Sequence, residues 1–280
     1  MKLKMKEITI VFYHANCHDG MSAAAIFNHY YPGIELIPMK HFETPNQAYS
    51  GQKILFLDFS FPQEVMVPLI NSNTVYVVDH HETANYLREF LPEDQYIIEN
   101  GKCGALLLWE YINGKVPPPI ILKYVNDRDL WLNQLPNYQY VFEGIVYLKP
   151  TVKIMEDLIF NTDDLTDIIK TGKIVHEAKS SYINFMKNKV FIKRFSFEGK
   201  RYKVGYINCP LFGSDVGNYI VKNFDVDFAA VFHFNGRKTI FSLRGNDKVD
   251  LSKIAERYNG GGHYNASGCA INNLVSELTQ

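Results

Sequence analysis

Val75-Tyr76-Val77-Val78-Asp79-His80-His81 decides how this 280-residue chain reads. A run of β-branched and aromatic residues stops abruptly at one carboxylate and two imidazoles. Such a run reads as a buried parallel strand. In open α/β sheets, ligands gather outside the carboxyl ends of the strands. Desolvating three such groups at that edge is costly unless they bind something, which makes the edge a candidate metal site.

Two further strands end in the same way. Ile8-Thr9-Ile10-Val11-Phe12-Tyr13 runs into His14-Ala15-Asn16-Cys17-His18-Asp19-Gly20, and Ile54-Leu55-Phe56-Leu57 runs into Asp58. A fourth cluster, Tyr124-Val125-Asn126-Asp127-Arg128-Asp129, sits in a less strand-like context. Together they offer His14, Asp19, Asp58, Asp79, His80, His81 and Asp127. Mixed imidazole and carboxylate donors favour Mn²⁺, Fe²⁺, Co²⁺ or Zn²⁺ over Ca²⁺, which prefers oxygen alone. A single Asp at a strand end ordinarily caps a helix or a turn. Four such ends in one domain argue against that account for all of them.

In this order, Asp79-His80-His81 and a late Gly260-Gly261-Gly262-His263 followed by Ala266-Ser267-Gly268 resemble the DHH phosphoesterase superfamily. That superfamily includes RecJ-type exonucleases, oligoribonucleases, cyclic-dinucleotide phosphodiesterases and family II inorganic pyrophosphatases. The resemblance covers nearly the whole chain. It implies that His14, Asp19 and Asp58 hold one divalent cation, Mn²⁺ or else Mg²⁺ or Co²⁺. It implies that Asp58, His80 and Asp127 hold a second, with Asp58 bridging. Asp79 is expected to support the metal shell, and His81 to face the substrate phosphate; with Asp58 they form the expected catalytic set. Many relatives carry a D-x-D pair. Here Asp19 is followed two residues later by Met21, or else Asp19 is the second Asp and Asn16 or His18 stands for the first. One expected carboxylate is missing on either alignment, leaving the second metal weaker, differently ligated or absent.

Hydrolysis of a phosphate ester is the chemistry these groups suit. Paired cations lower the pKa of a shared water and stabilise charge on phosphoryl oxygens. No G-x-S-x-G elbow, no phosphate-binding P-loop and no G-x-G-x-x-G after the first strand offers a rival apparatus. Three consecutive glycines at Gly260, Gly261 and Gly262 let backbone N–H groups approach a ligand, with His263 beside them. Arg244 suits a clamp for a terminal phosphate.

Composition fits two modest domains. Apolar residues make up 46% of the chain, and the formal net charge of −1 argues against avid, nonspecific binding of long duplexes. Seven Lys and Arg residues lie between Lys187 and Lys203 against one acid, Glu198, and read either as a solvated face or as a track for a short nucleic acid. No apolar run reaches the ~18 residues of a membrane span, and the basic N-terminus lacks the apolar core of a signal peptide. A cytoplasmic protein is expected. Cys17, Cys103, Cys209 and Cys269 are scattered, as reduced thiols usually are. Cys17 reads either as a small hydrophobe in a tight turn or as a contact for a soft metal.

The expected architecture is α/β. A doubly wound, mostly parallel sheet fills residues 1–150, a helical connector residues 151–189, and a smaller α/β domain with a mixed sheet residues 190–280. Helices are expected at Met21–Tyr31, Gln63–Asn71, Cys103–Asn113, Pro119–Val125 and from about Met155 to Lys189, with Gly172 as an interruption. Trp131 is expected to pack beneath the site. The function expected is metal-dependent cleavage of short single-stranded oligonucleotides or dinucleotides to mononucleotides in an interdomain cleft. Hydrolysis of pyrophosphate, polyphosphate or a bisphosphonucleotide is the alternative, as is a phosphate-ligand sensor that has lost turnover. Tyr206, Phe212, Tyr219 and Tyr264 are candidate base-stacking platforms, and a homodimer is left open.

Overall fold

The computed structural model describes residues 5–40 and 43–272. It divides into two compact units, Met1–His176 and Glu177–Gln280.

In the first unit, β1 (Ile10–His14), β2 (Glu35–Met39), β3 (Lys53–Leu57), β4 (Thr74–Asp79) and β5 (Tyr96–Ile98) form a parallel sheet in the order β2-β1-β3-β4-β5. Pro38 is tolerated because β2 lies at the sheet edge, where a missing N–H costs no ladder bond. Helices α1 (His18–Tyr30), α2 (Gln63–Ser72), α3 (Gly104–Asn113), α4 (Ile120–Asp129), α5 (Tyr138–Tyr147) and α6 (Val152–Phe160) follow in chain order. Side chains alternate across the sheet. Val11, Leu55, Leu57 and Val78 pack with residues of α1, α3, α4, α5 and α6 on one face. Phe12, Ile54, Phe56, Val75 and Val77 pack with Met66 and Leu69 of α2 on the other. Burial on both faces is what makes these strands read as unbroken apolar runs rather than alternating ones.

Strand order reverses between β1 and β3, because the chain winds outward to β2 from one and onward to β4 from the other. Such a reversal leaves a crevice at the carboxyl ends of the two strands. His14 ends β1, and Asp58 follows β3 directly.

The expected long helix past Met155 is two helices, α6 and α7 (Thr166–Met186), and α7 runs through the division between the units. Gly172 does not interrupt it. A side chain there would meet the Tyr140 carbonyl oxygen of α5 at 1.7 Å, and one at Gly144 would meet the Ile168 carbonyl oxygen at 2.3 Å. Two glycines thus let α5 and α7 cross backbone to backbone. The expected use of Gly172 as a breaker fails because the helix needs its missing side chain, not its flexibility.

In the second unit, β6 (Phe191–Phe197), β7 (Lys200–Asn208), β8 (Phe228–Phe234), β9 (Lys238–Gly245), β10 (Gly261–His263) and β11 (Ala266–Asn272) form a sheet in the order β10-β11-β9-β8-β7-β6. Only β7 and β8 pair in parallel among these, so the sheet is mixed. Val216 and Ile220 of α8 (Gly213–Asn223) sit in one core cluster, and Leu251 and Ile254 of α9 (Leu251–Glu256) in the other. No helix among the described residues is long and apolar enough to cross a membrane.

Forcing a methyl between α5 and α7 should strain both helices. Gly172→Ala is expected to destabilise the chain by about 1–3 kcal/mol, as overpacking generally does, read as a lower midpoint in urea denaturation.

Candidate metal centre and its pocket

The carboxyl edge of the first sheet gathers His14 from β1, Cys17 and Asp19 from the turn into α1, Asp58 after β3, and His80 and His81 after β4. Three groups of side chains there could each hold a cation: His14 with Cys17 and Asp58, Asp58 with His80 and His81, and Asp19 with His80 and Asp129. Asp58 belongs to two of them, and so does His80. Asp58 has φ of +52°, a left-handed backbone that Asp adopts more readily than most residues yet still at a cost.

Asp19 is fully held. Its Oδ2 accepts from Gly104 N–H at 2.6 Å and its Oδ1 from Ala105 N–H at 2.7 Å, both at the first turn of α3. Cys103, preceding that helix, donates its N–H to Asn126 Oδ1 at 2.9 Å. The helix has no local cap from Cys103, so a carboxylate and an amide distant in sequence satisfy its first N–H groups instead.

The site's charges disturb one another. Burial foremost, then the nearby Asp58 and Asp129, push Asp19 well above the usual carboxylate range. Burial and Asp58 likewise raise Asp129, opposed by His80. Burial alone would raise Asp58 too, but the close approach of the His14 and His80 rings and the charge of His81 outweigh it and hold Asp58 low. The hydrogen bond from His81 Nδ1 to Asp79 Oδ1, 2.7 Å long, lifts His81 to about 9 against the pull of burial.

Several expectations need correction. Asp127 is not in the cluster. Its Oδ1 accepts from Gln134 N–H at 2.9 Å and its Oδ2 from Leu135 N–H at 3.4 Å, so it ties the loop after α4. Asp129 stands there instead, its Oδ2 3.3 Å from His80 Nε2. A helical reading carried past Val125 would have found it. Leu122, Val125, Asn126 and Asp129 recur at the spacing of one helix face, and the first two are buried. Asp79 sits behind the site rather than in a cation-holding group: its Oδ1 takes the N–H groups of His80 and His81 and the His81 ring. His81, expected to face the substrate phosphate, also falls in a group with Asp58 and His80. Counted back two residues from Asp19, the acid of a D-x-D pair falls on Cys17, not on Asn16 or His18.

A cavity of about 270 Å³ opens beside this cluster, lined by His14, Cys17 and Asp19 and by Arg128, Trp131 and Phe142 among others. Trp131 does not pack beneath the site; its residue is 71% exposed. The Arg128 guanidinium lies 4.2 Å from the Trp131 ring centroid and 4.5 Å from that of Phe142. Stacking by Arg128 substitutes for burial of the indole, which sequence reasoning cannot see.

In the second unit, the glycine run is part of a β-hairpin. Gly261, Gly262 and His263 pair with Gly268, Ser267 and Ala266, and Ala266 pairs with Arg244 on β9. His263 and Arg244 therefore lie on one line of rungs across three strands. A side chain at Gly260 would meet the Gly268 carbonyl oxygen at 2.1 Å, so close strand packing requires that glycine whether or not a ligand binds. The Arg244 guanidinium bonds Ser214 at the start of α8.

The donor set suits a divalent cation. Both Asp58 oxygens and His80 Nε2 are buried and have no aligned hydrogen-bond partner, although Asp58 lies 3.3 Å from His14 Nδ1 and 3.2 Å from His80 Nε2. Buried polar atoms left this way are rare without a ligand to satisfy them.

Known proteins agree with this architecture. Residues 214–280 match the model of the DHHA1 domain. An uncharacterised protein of Acanthamoeba polyphaga mimivirus, R106, is 32% identical over 96% of this chain and 68% of its own length. Oligoribonuclease NrnB of Bacillus subtilis is 28% identical over 73% of this chain and 54% of that protein. The solved DHH domain of PF0399, described as a member of the s1p family of ribosomal proteins, superposes with a TM-score of 0.53 at 13% identity, covering 96% of this chain and 83% of that one. The chain belongs to the DHH phosphoesterase superfamily, a family of metal-dependent phosphoesterases.

Asp127 and Asp129 should separate by experiment. Asp127→Ala is expected to cost about 2 kcal/mol in urea denaturation, the scale of hydrogen bonds to a charged group. Asp129→Asn should leave that midpoint nearly unchanged while weakening Mn²⁺ binding by calorimetric titration.

Proposed function

We propose that this protein is a divalent-metal phosphodiesterase that cleaves short single-stranded oligonucleotides or dinucleotides. The observation that carries this reading is the pocket beside the metal centre, where Trp131, Phe142 and Arg128 offer flat faces to a base. Pyrophosphate or polyphosphate needs only charged ligands, whereas a nucleoside gains from stacking. The aromatic residues expected for this task, Tyr206, Phe212, Tyr219 and Tyr264, belong to the second unit, whereas the candidate cation-holding side chains belong to the first. Sequence similarity to an oligoribonuclease supports the same substrate class.

His14, Asp19, Asp58, His80 and Asp129 would hold the cations, Mn²⁺ being the first to try. When bound, such cations supply Lewis acidity to phosphoryl oxygens and lower the pKa of water. The side chains do the rest. Asp79 fixes the His81 ring through Nδ1, leaving Nε2 to meet a phosphate oxygen. Arg128, already desolvated on two faces by aromatic rings, is placed to neutralise a phosphate next to a stacked base. Asp19, locked to α3, keeps the turn after β1 from drifting as substrate binds. Arg244, with Gly261, Gly262 and His263 on the same sheet and Gly260 directly before them, is the candidate phosphate contact of the second unit.

The test is a hydrolysis panel with Mn²⁺: a 5′-labelled RNA dinucleotide and pentanucleotide, a cyclic dinucleotide, pyrophosphate and a bisphosphonucleotide, with Asp58→Ala as the blank. Turnover of the linear RNAs that vanishes in Asp58→Ala is expected. Turnover of pyrophosphate or the bisphosphonucleotide alone would overturn the reading, and bound metal with no turnover would favour a sensor.

Trp131→Ala should raise KM for the dinucleotide about tenfold, the lower part of the range for one stacked base, and leave any pyrophosphate hydrolysis unchanged.

A further inference from the structure

Among the described residues, Cys17 is the one thiol in a candidate cation-holding group. It is half-buried, and its sulfur lies with a His14 ring nitrogen and an Asp58 oxygen such that all three atoms are within 4.8 Å of one another. The second observation is Asp58 itself. It is 1% exposed, and neither of its oxygens has an aligned hydrogen-bond partner. A buried carboxylate within 4.8 Å of both a thiol and an imidazole is an arrangement that a thiophilic cation satisfies and a hydrocarbon-like cysteine does not.

We propose that Cys17 is a thiolate ligand of the cation held by His14 and Asp58, and that it tunes this position toward Zn²⁺, Co²⁺ or Fe²⁺ and away from Mn²⁺ and Mg²⁺. The proposal rests on the metal centre described above but not on the identity of the substrate. Thiolate and imidazole ligands prefer the softer, later ions, whereas carboxylate and water suit Mg²⁺ and Mn²⁺. The ligand forms by a simple exchange: the S–H proton passes to solvent as sulfur bonds the cation, with no change of oxidation state. Burial foremost, and then the negative charge of Asp58, Asp19 and Asp129, hold the thiol protonated, which the charge of a cation offsets. The other two candidate groups, Asp58 with His80 and His81 and Asp19 with His80 and Asp129, contain no sulfur, and the second of them, with two carboxylates, keeps a harder character. The two positions would then differ in metal preference within one site.

Cobalt reads this directly. The full chain, reduced and stripped of metal with a chelator, is titrated with Co²⁺ while near-ultraviolet and visible absorption are recorded. A thiolate-to-cobalt charge-transfer band is expected in the near-ultraviolet together with visible ligand-field bands. Cys17→Ser should lose the first and keep the second, Cys103→Ser should keep both, and Zn²⁺ affinity in Cys17→Ser should fall by at least about tenfold, since even outer-shell changes cost that much. Cys17→Asp should narrow the gap between Zn²⁺ and Mn²⁺ affinities. Ligand-field bands without a charge-transfer band in the unmodified chain, lost in Asp58→Ala, would overturn the role of Cys17 and leave the metal centre standing. A charge-transfer band that survives Cys17→Ser would overturn it too. Absence of any cobalt signal, identical in Asp58→Ala, would remove the metal centre and the proposal together. The unmodified chain answers the main question alone, so a poorly folding variant does not spoil the test.

Discussion

Three carboxylates share one interior. Asp19 and Asp58 are almost wholly buried, Asp129 is mostly so, and each raises the energy of the others' charged form. A protein can hold such a cluster only by surrounding it with donors and positive charge, and two imidazoles and one helix terminus stand closest to it. The N-terminus of α3 takes both oxygens of Asp19. His14 and His80 flank Asp58. What remains uncompensated sits at Asp58 and His80, where a divalent cation would complete the balance. The order of the sheet follows from the same constraint, because only a reversal between β1 and β3 places His14 and Asp58 side by side.

The stretch from Asn126 to Asp129 shows how finely that interior is divided. Asn126 caps α3, Asp127 ties down the next loop, Arg128 stacks between aromatic rings, and Asp129 enters the cluster. Four consecutive polar residues have four separate tasks because a helix turns by about 100° per residue. The acid chosen through the family resemblance was Asp127, and the helix turns Asp129, two residues on, toward His80 instead. Asp79 is a similar case. Its position at a strand end is as expected, yet one of its oxygens, Oδ1, takes the two amides and the ring that follow it.

The parallel sheet was legible for a physical reason. Strands buried on both faces must be apolar throughout, so each polar residue that ends one stands out against the run. That contrast exposed His14, Asp58, Asp79, His80 and His81. The α-helical segments that line the pocket gave no comparable signal. Tyr138–Tyr147 is amphipathic but short, and its crossing with α7 depends on Gly144 and Gly172, residues that in isolation suggest breaks. Likewise, exposed Trp131 looks like a core residue by type alone, since nothing local tells of the arginine stacked on it.

The amino-acid sequence by itself determined the fold class, the family and the kinds of chemistry gathered at the strand ends, because these depend on local apolar runs and short motifs. Only the tertiary structure decided which of the two aspartates in the last three positions of α4 meets His80, which backbone amides bond Asp19, and that Cys17 comes within reach of Asp58. Those choices are set by side-chain direction and by distances between segments far apart in the chain, and neither is written in local periodicity.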